Sequence, residues 1–340
     1  MNRSDIKSML PDELEAALVE MGEPRFRAGQ IFTWLMRGVT DFSSMTNIGK
    51  SLQKKLDERY YITSPEILRK QVSEEDGTIK YLWKLMDGSA VESVLMHYKH
   101  GSTVCVSSQV GCRMGCAFCA SAQGGWVRNL SSSEILDQVL FTEKDSGTRV
   151  SNIVMMGIGE PLDNFDNVIR FIELVTHPDG INIGMRHISL STCGLPEKID
   201  KLGDYNLQLT LSLSLHAPDD ETRLGLMPVN RRYPTQEVLD ACTRYYEKTG
   251  RRISIEYALI DGVNDSNEQA EMLARIALSL CAHINLIPLN NVDGSPLRPS
   301  RRLKQFVSLL KEKGANVTVR RRLGGDIEAA CGQLRKKASG

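Results

Sequence analysis

The chain has 340 residues, 41% of them hydrophobic and 25% charged, with a formal net charge of +0 and eight cysteines. That length suggests one large domain or two with ample core, and net neutrality leaves no global field that would advertise nucleic acid. No run approaches the roughly 18 apolar residues of a membrane span. Residues 1–10 lack a signal-like apolar stretch, and the cysteines suit cytoplasmic metal or redox chemistry rather than a secreted disulfide framework.

Residues 1–62 read as a small helical module. Leu14, Ala17, Leu18 and Met21 share one helical face, and Gly22 follows as a stop signal. Phe26, Ile31, Trp34 and Leu35 predict a second helix before Gly38, and Ile48, Leu52 and Leu56 a third. Lys50, Lys54, Lys55 and Arg59 flank that third helix, so the module's role is either structural or RNA docking. Residues 63–98 form a β-rich connector, where Ile79, Tyr81, Trp83 and Leu85 alternate between the Asp76-Gly77 and Asp87-Gly88 turns.

From residue 99 onward strands and helices alternate. Candidate strands are 103–107, 152–156, 187–191, 209–215, 253–259, 284–289 and 317–320, and candidate helices include 133–142, 168–175, 235–248 and 267–280. The alternation implies right-handed βαβ crossovers and a parallel sheet. Leu209, Leu211, Leu213 and Leu215 share one strand face, and Thr210, Ser212, Ser214 and His216 the other. One apolar and one polar face suit a barrel wall around a wet lumen. About six such units predict an α/β incomplete barrel, with chemistry at the C-terminal ends of its strands. Basic residues cluster at 231–232, 251–252, 298, 301–302, 320–322 and in Lys336-Lys337; alone these read as solvated surface.

Cys112, Cys116 and Cys119 form a Cys-x-x-x-Cys-x-x-Cys run after the first of those strands. Three thiolates can hold three irons of a four-iron, four-sulfur cluster, which normally takes four cysteines, so one iron is left open. Structural zinc wants four protein ligands, and no matching pair follows here. After the second strand comes Met156-Gly157-Ile158-Gly159-Glu160-Pro161. Its glycines let backbone approach a ligand and Glu160 offers a carboxylate for an ammonium group; alone, the segment could equally be a plain turn.

Together these features resemble the radical S-adenosylmethionine superfamily. The resemblance narrows through Gly111-Cys112-Arg113-Met114-Gly115-Cys116-Ala117-Phe118-Cys119-Ala120, Arg128-Asn129-Leu130 and the 156–162 segment. Ser214-Leu215-His216-Ala217-Pro218 and Asp326-Ile327-Glu328-Ala329-Ala330-Cys331-Gly332-Gln333-Leu334 follow in order. The series resembles the RlmN/Cfr family of RNA methyltransferases over almost the whole chain, including the helical front module. It implies an incomplete (βα)6 radical SAM barrel behind a small N-terminal helical domain.

The resemblance also implies roles. Cys112, Cys116 and Cys119 would ligate the cluster, and Gly159, Glu160, Ser191, Ser214, His216 and Asn290 would contact S-adenosylmethionine. Cys331 would accept a methyl group, Cys105 would resolve the later protein–RNA bond as a disulfide, and Glu92 would handle a proton. Two S-adenosylmethionine molecules would be used per turnover. The substrates would be an adenosine of 23S rRNA and one next to the tRNA anticodon, methylated at carbon 2, with carbon 8 of the rRNA adenosine as the rival. The electron donor would be a flavodoxin or ferredoxin. Taken singly, Cys105 reads as a buried core cysteine, Cys331 as a packed thiol, Glu92 as a surface strand residue and His216 as a satisfied barrel histidine. Cys193, Cys242 and Cys281 read as packing. Ala120-Ser121, and Asn291 after Asn290, depart from the usual pattern without touching a proposed reactive atom.

Overall fold

The computed structural model describes residues 3–290 and 294–334; Asn291 and Lys336-Lys337 lie outside the described residues. A ten-stranded sheet organises the chain. Its strands are β1 (Glu66–Val72), β2 (Ile79–Lys84), β3 (Ala90–Tyr98), β4 (Gly101–Cys105) and β5 (Val150–Met155). β6 (Ile188–Thr192), β7 (Thr210–Ser214), β8 (Ser254–Leu259), β9 (His283–Pro288) and β10 (Asn316–Val319) complete it. They lie side by side in strict chain order. β1 to β4 form an antiparallel meander, and β4 to β10 are parallel throughout. The order ends at β1 and β10, so the barrel stays open. Each predicted barrel strand lies within two residues of the observed one.

The front module contains α1 (Pro11–Glu20), α2 (Arg27–Met36) and α3 (Lys50–Arg59). The crossovers from β4 to β10 carry α4 (Ser132–Ser146), α5 (Phe165–Thr176), α6 (Pro196–Asp204), α7 (Asp220–Leu226) with α8 (Thr235–Thr249), α9 (Asn267–Ser279) and α10 (Leu303–Glu312). α4 starts in a capping box of Ser131 and Glu134 and ends at Gly147, whose φ of 65° suits the left-handed cap. On β7, Leu211 and Leu213 pack outward against helices and are fully buried. On the same strand, Ser212 and Ser214 pair across the lumen side with Ser189 and Ser191 of β6, oxygen to oxygen at 3.0 and 3.1 Å. The period-2 pattern thus places hydroxyls inside the barrel and leucines under the helices.

The front module is not set apart from the barrel. Leu14, Leu18, Ile31, Phe32, Leu35, Leu52 and Leu56 join the same apolar core as the barrel helices. Lys7, wholly buried, donates to Asp137 of α4 at 2.6 Å and to the Thr63 carbonyl at 2.5 Å. A buried pair of this kind positions one element on another more than it adds net stability.

Candidate active site

The strand C-terminal ends converge on a half-open cleft of about 940 Å³, the solvent at its mouth included. Cys112, Cys116, Cys119, Gly159, Glu160, Ser191, Ser214, His216, Asn290 and Cys331 all line it. The cysteines follow β4, Gly159 and Glu160 follow β5, Ser191 and Ser214 end β6 and β7, and Asn290 follows β9. A parallel barrel gathers side chains at this rim because every strand points its C-terminus there.

The three cysteine thiols are free and half-buried. Burial pushes each of them up, Cys112 to about 12, and neighbouring thiols add to the rise for Cys112 and Cys116. Such thiols favour deprotonation only when a metal takes the charge. Among the described residues no three His, Cys, Asp or Glu side chains converge closely enough for one metal ion. The thiols instead face a shared cavity, as suits a multinuclear group in which each thiolate binds its own iron. The loop carrying them is tightly mounted: a Cβ on Gly111, at φ +77°, would lie 1.7 Å from the Gly125 carbonyl oxygen.

Glu160 is 4% exposed. Its carboxylate accepts backbone N–H groups of Leu162 at 3.1 Å and Cys193 at 2.8 Å. Burial raises its pKa, and no ion pair holds it among the described residues, so a cationic ligand fits there. Gly159, at φ +109°, leaves no space for a side chain, since a Cβ would stand 2.7 Å from Gln109 Cβ. His216 sits two residues beyond β7 at φ 58°. Its Nδ1 accepts the Ala258 N–H at 2.9 Å, so the neutral ring carries its proton on Nε2. Burial, helped by Arg223, lowers its pKa to about 3. Behind this wall Arg223, fully buried, donates to the Cys193 carbonyl and to Asn230 Oδ1, both at 2.6 Å.

Cys331 also lines a second cavity of about 560 Å³, together with Cys105, Val94, Met96, Tyr98 and Arg320. Cys105 lies opposite Val94 in the β3–β4 register and is 6% exposed. Burial pushes its thiol up to about 12. The segment bearing Cys331 is pinned from several sides. Asn290 Nδ2 donates to the Cys331 carbonyl at 3.0 Å, Ala120 N–H to Gly332 O at 2.8 Å, and Ser121 Oγ to Leu334 O at 2.7 Å.

Glu92 stands apart. It shares a strand face with Val94 but lines a neighbouring hollow with Lys80, Asp326 and Glu328, outside both cavities of Cys331. Lys80 Nζ lies 3.7 Å from its carboxylate. Four sequence readings change. Glu92, read singly as a surface strand residue, is buried. Ser121 does touch one of the three cysteine thiols, hydrogen-bonding Cys119. Cys281 is exposed rather than packed. Arg320 is no surface residue: its side chain is 17% exposed and lines both cavities. Arg223, Glu256 and Arg320 were not singled out by sequence reasoning; the polar lumen face of β8 was the available signal for Glu256.

Comparison with known proteins follows the same lines. The Radical SAM superfamily model matches residues 106–274, and that of the ribosomal RNA large subunit methyltransferase N-terminal domain matches residues 4–62. The chain is 47% identical to the probable dual-specificity RNA methyltransferase RlmN of Clostridium tetani, over 99% of this chain and 97% of that one. It is 50% identical to the protein of the same description from Alkaliphilus oremlandii, over 99% of both. The crystal structure of a radical SAM methyltransferase from Sphaerobacter thermophilus superposes with a TM-score of 0.93 at 43% identity, over 98% of this chain and 100% of that one.

Proposed function

The chain belongs to the RlmN family of dual-specificity RNA methyltransferases, and from that premise we propose that it methylates carbon 2 of adenosine in 23S rRNA and in tRNA. The rRNA target is an adenosine of the peptidyl-transferase centre, and the tRNA target is the adenosine 3′ of the anticodon. As a radical SAM enzyme it works with a four-iron, four-sulfur cluster and S-adenosylmethionine. When bound, these supply a methyl group for a thiolate and a deoxyadenosyl radical for hydrogen abstraction, reactivity that side chains lack.

The observation that carries the reading is the place of Cys331, which borders the three-cysteine cavity on one side and the Cys105 cavity on the other. Cys112, Cys116 and Cys119 hold the cluster. Glu160 receives the ammonium of S-adenosylmethionine, Gly159 gives its backbone room, and Ser191, Ser214, His216 and Asn290 line the rest of that wall. Cys331 takes up the methyl carbon and carries it to the adenine. Glu92 keeps the proton-handling role that the family implies, acting from the adjoining hollow rather than from either cavity of Cys331. Cys105 then forms a disulfide with Cys331 and frees the base. An enzyme that must reach a base edge needs a splayed or unpaired nucleotide. The front module, with Lys50, Lys54 and Arg59 exposed on α3, docks the RNA. A flavodoxin or ferredoxin supplies electrons, and the protein works in the cytoplasm; among the described residues no helix is long and apolar enough to cross a membrane.

The test is mass spectrometry of nucleosides from RNA treated with anaerobically reconstituted protein, S-adenosylmethionine and reductant. The expected product is 2-methyladenosine. Appearance of 8-methyladenosine instead would overturn the carbon 2 assignment.

A further inference from the structure

The assigned role of Cys105 sets a chemical problem that the fold itself must answer. A sulfur nucleophile acts as its thiolate, yet Cys105 is 6% exposed among Val94, Ile158, Ala329 and Leu334. Burial among those groups pushes its thiol up to about 12. Something must offset this before Cys105 can attack.

Arg320 stands where that offset is needed. It follows the last residue of β10, and its N–H donates to the Leu286 carbonyl at 2.9 Å, which fixes the backbone. Its guanidinium turns into the lumen and lines both the cavity shared by Cys105 and Cys331 and the three-cysteine cleft; Arg321 and Arg322 also border the former, but both are exposed. Its carboxylate neighbour, Glu256, lies 3.6 Å from Nη1, too long for a tight bidentate pair. The same Nη1 rests 3.3 Å from Met156 Sδ, and the Met156 backbone also hydrogen-bonds Cys105. The guanidinium therefore retains donors and charge that Glu256 does not use. The other ionisable groups lining the Cys105 cavity are Cys331 and the exposed Arg321 and Arg322 on the C-terminal segment, and Tyr98 on β3, whose hydroxyl burial keeps protonated. The β-strand neighbours Val94 and Val154 are apolar.

We propose that Arg320 is the positioning residue that lets Cys105 react: its lumen-facing guanidinium stabilises the Cys105 thiolate during resolution of the protein–RNA bond. The proposal rests on the function given above. In that step the Cys105 thiolate attacks Cys331 Sγ and a sulfur–sulfur bond forms. The bond from Cys331 Sγ to the adenine-bound methylene breaks. Its electron pair passes to that carbon, which takes a proton from water and becomes the methyl group. The sulfurs are oxidised to a disulfide as the carbon is reduced, so no external oxidant enters.

The first experiment uses no RNA. Cys105 is labelled with methyl methanethiosulfonate, a small uncharged thiol reagent, and its labelling rate is read by peptide mass spectrometry from pH 6 to 10 in wild type, Arg320→Gln and Arg320→Lys. Arg320→Gln should label about tenfold more slowly with its profile displaced to higher pH, and Arg320→Lys should recover most of the rate. Equal profiles for wild type and Arg320→Gln would overturn the proposal. So would an Arg320→Lys protein as slow as Arg320→Gln, since charge would then not be the cause. With RNA and cofactors, Arg320→Gln should accumulate covalent protein–RNA adduct. Absence of methylated nucleoside from wild type would instead count against the RNA reading, leaving the labelling result to decide the role of Arg320.

Discussion

The two cavities that meet at Cys331 differ in how their polar groups are held. On the three-cysteine side the polar groups are held within the fold: Glu160 by two backbone N–H groups, His216 by the Ala258 N–H, and Ser191 by the Ser214 hydroxyl. On the other side a buried thiol sits among aliphatic and thioether groups, with the part-buried Arg320 and the exposed Arg321 and Arg322 at the edge. The first wall is organised before a ligand arrives, which suits binding with little reorganisation. The second is apolar and tight, which suits a short-lived exchange at sulfur kept away from water. Cys331 serves both because its segment is tied to the loops of each.

Cys331→Ala should test that contrast hardest. Nucleoside mass spectrometry should show methylation falling by about a thousandfold or more, while cluster content and S-adenosylmethionine affinity stay as in wild type. Residual methylation near the wild-type level would separate the two cavities functionally. Next, Cys105→Ala should leave the cluster side working and stall the other, so that a covalent protein–RNA adduct collects on a denaturing gel; free methylated RNA at normal yield would remove Cys105 from its role. Glu160→Gln should act on the first cavity alone. Loss of a charge-assisted hydrogen bond, about 1.5–3 kcal/mol, predicts S-adenosylmethionine binding about tenfold to a hundredfold weaker by calorimetry, with iron content unchanged.

The smallest effect concerns acid. His216 titrates near 3 in the fold against an ordinary 6.5, so the unfolded chain takes up the proton first. Its contribution to stability is complete above pH 6.5 and is lost as pH falls toward 3. His216→Gln should therefore show a shallower fall in melting temperature between those limits than wild type. A steeper fall would mean that the ring is charged in the fold.

Much of the barrel was legible because alternation of leucine and serine along β7 marks a wall with a dry outside and a wet inside. The cysteine run could be placed because its spacing carries chemistry whatever the fold. Arg320 was hidden among Arg321 and Arg322: all three border the Cys105 cavity, but only Arg320 is largely covered and reaches the three-cysteine cleft as well. Arg223 was hidden for another reason. Its acceptors, at Cys193, Leu215, Asn230 and Tyr233, include three main-chain carbonyls, and a carbonyl leaves no trace in residue types. Glu92 lies on the expected strand, yet its separation from Cys331 depends on how residues 326–328 lie over β1 and β2, which no local pattern specifies.

The strand order bears on manufacture. Each strand of the sheet is laid beside the one made just before it, so the growing chain always has a ready edge and needs no long search for a partner. The final stretch then reaches back to the first-made hairpin. Gly324 N–H binds Asp76 at 2.9 Å, and Asp326 accepts from Glu74 N–H at 3.1 Å. That clasp joins the first-made and last-made parts of the sheet a few residues before Cys331. Cys331 therefore reaches its place between the two cavities only when the whole sheet is complete.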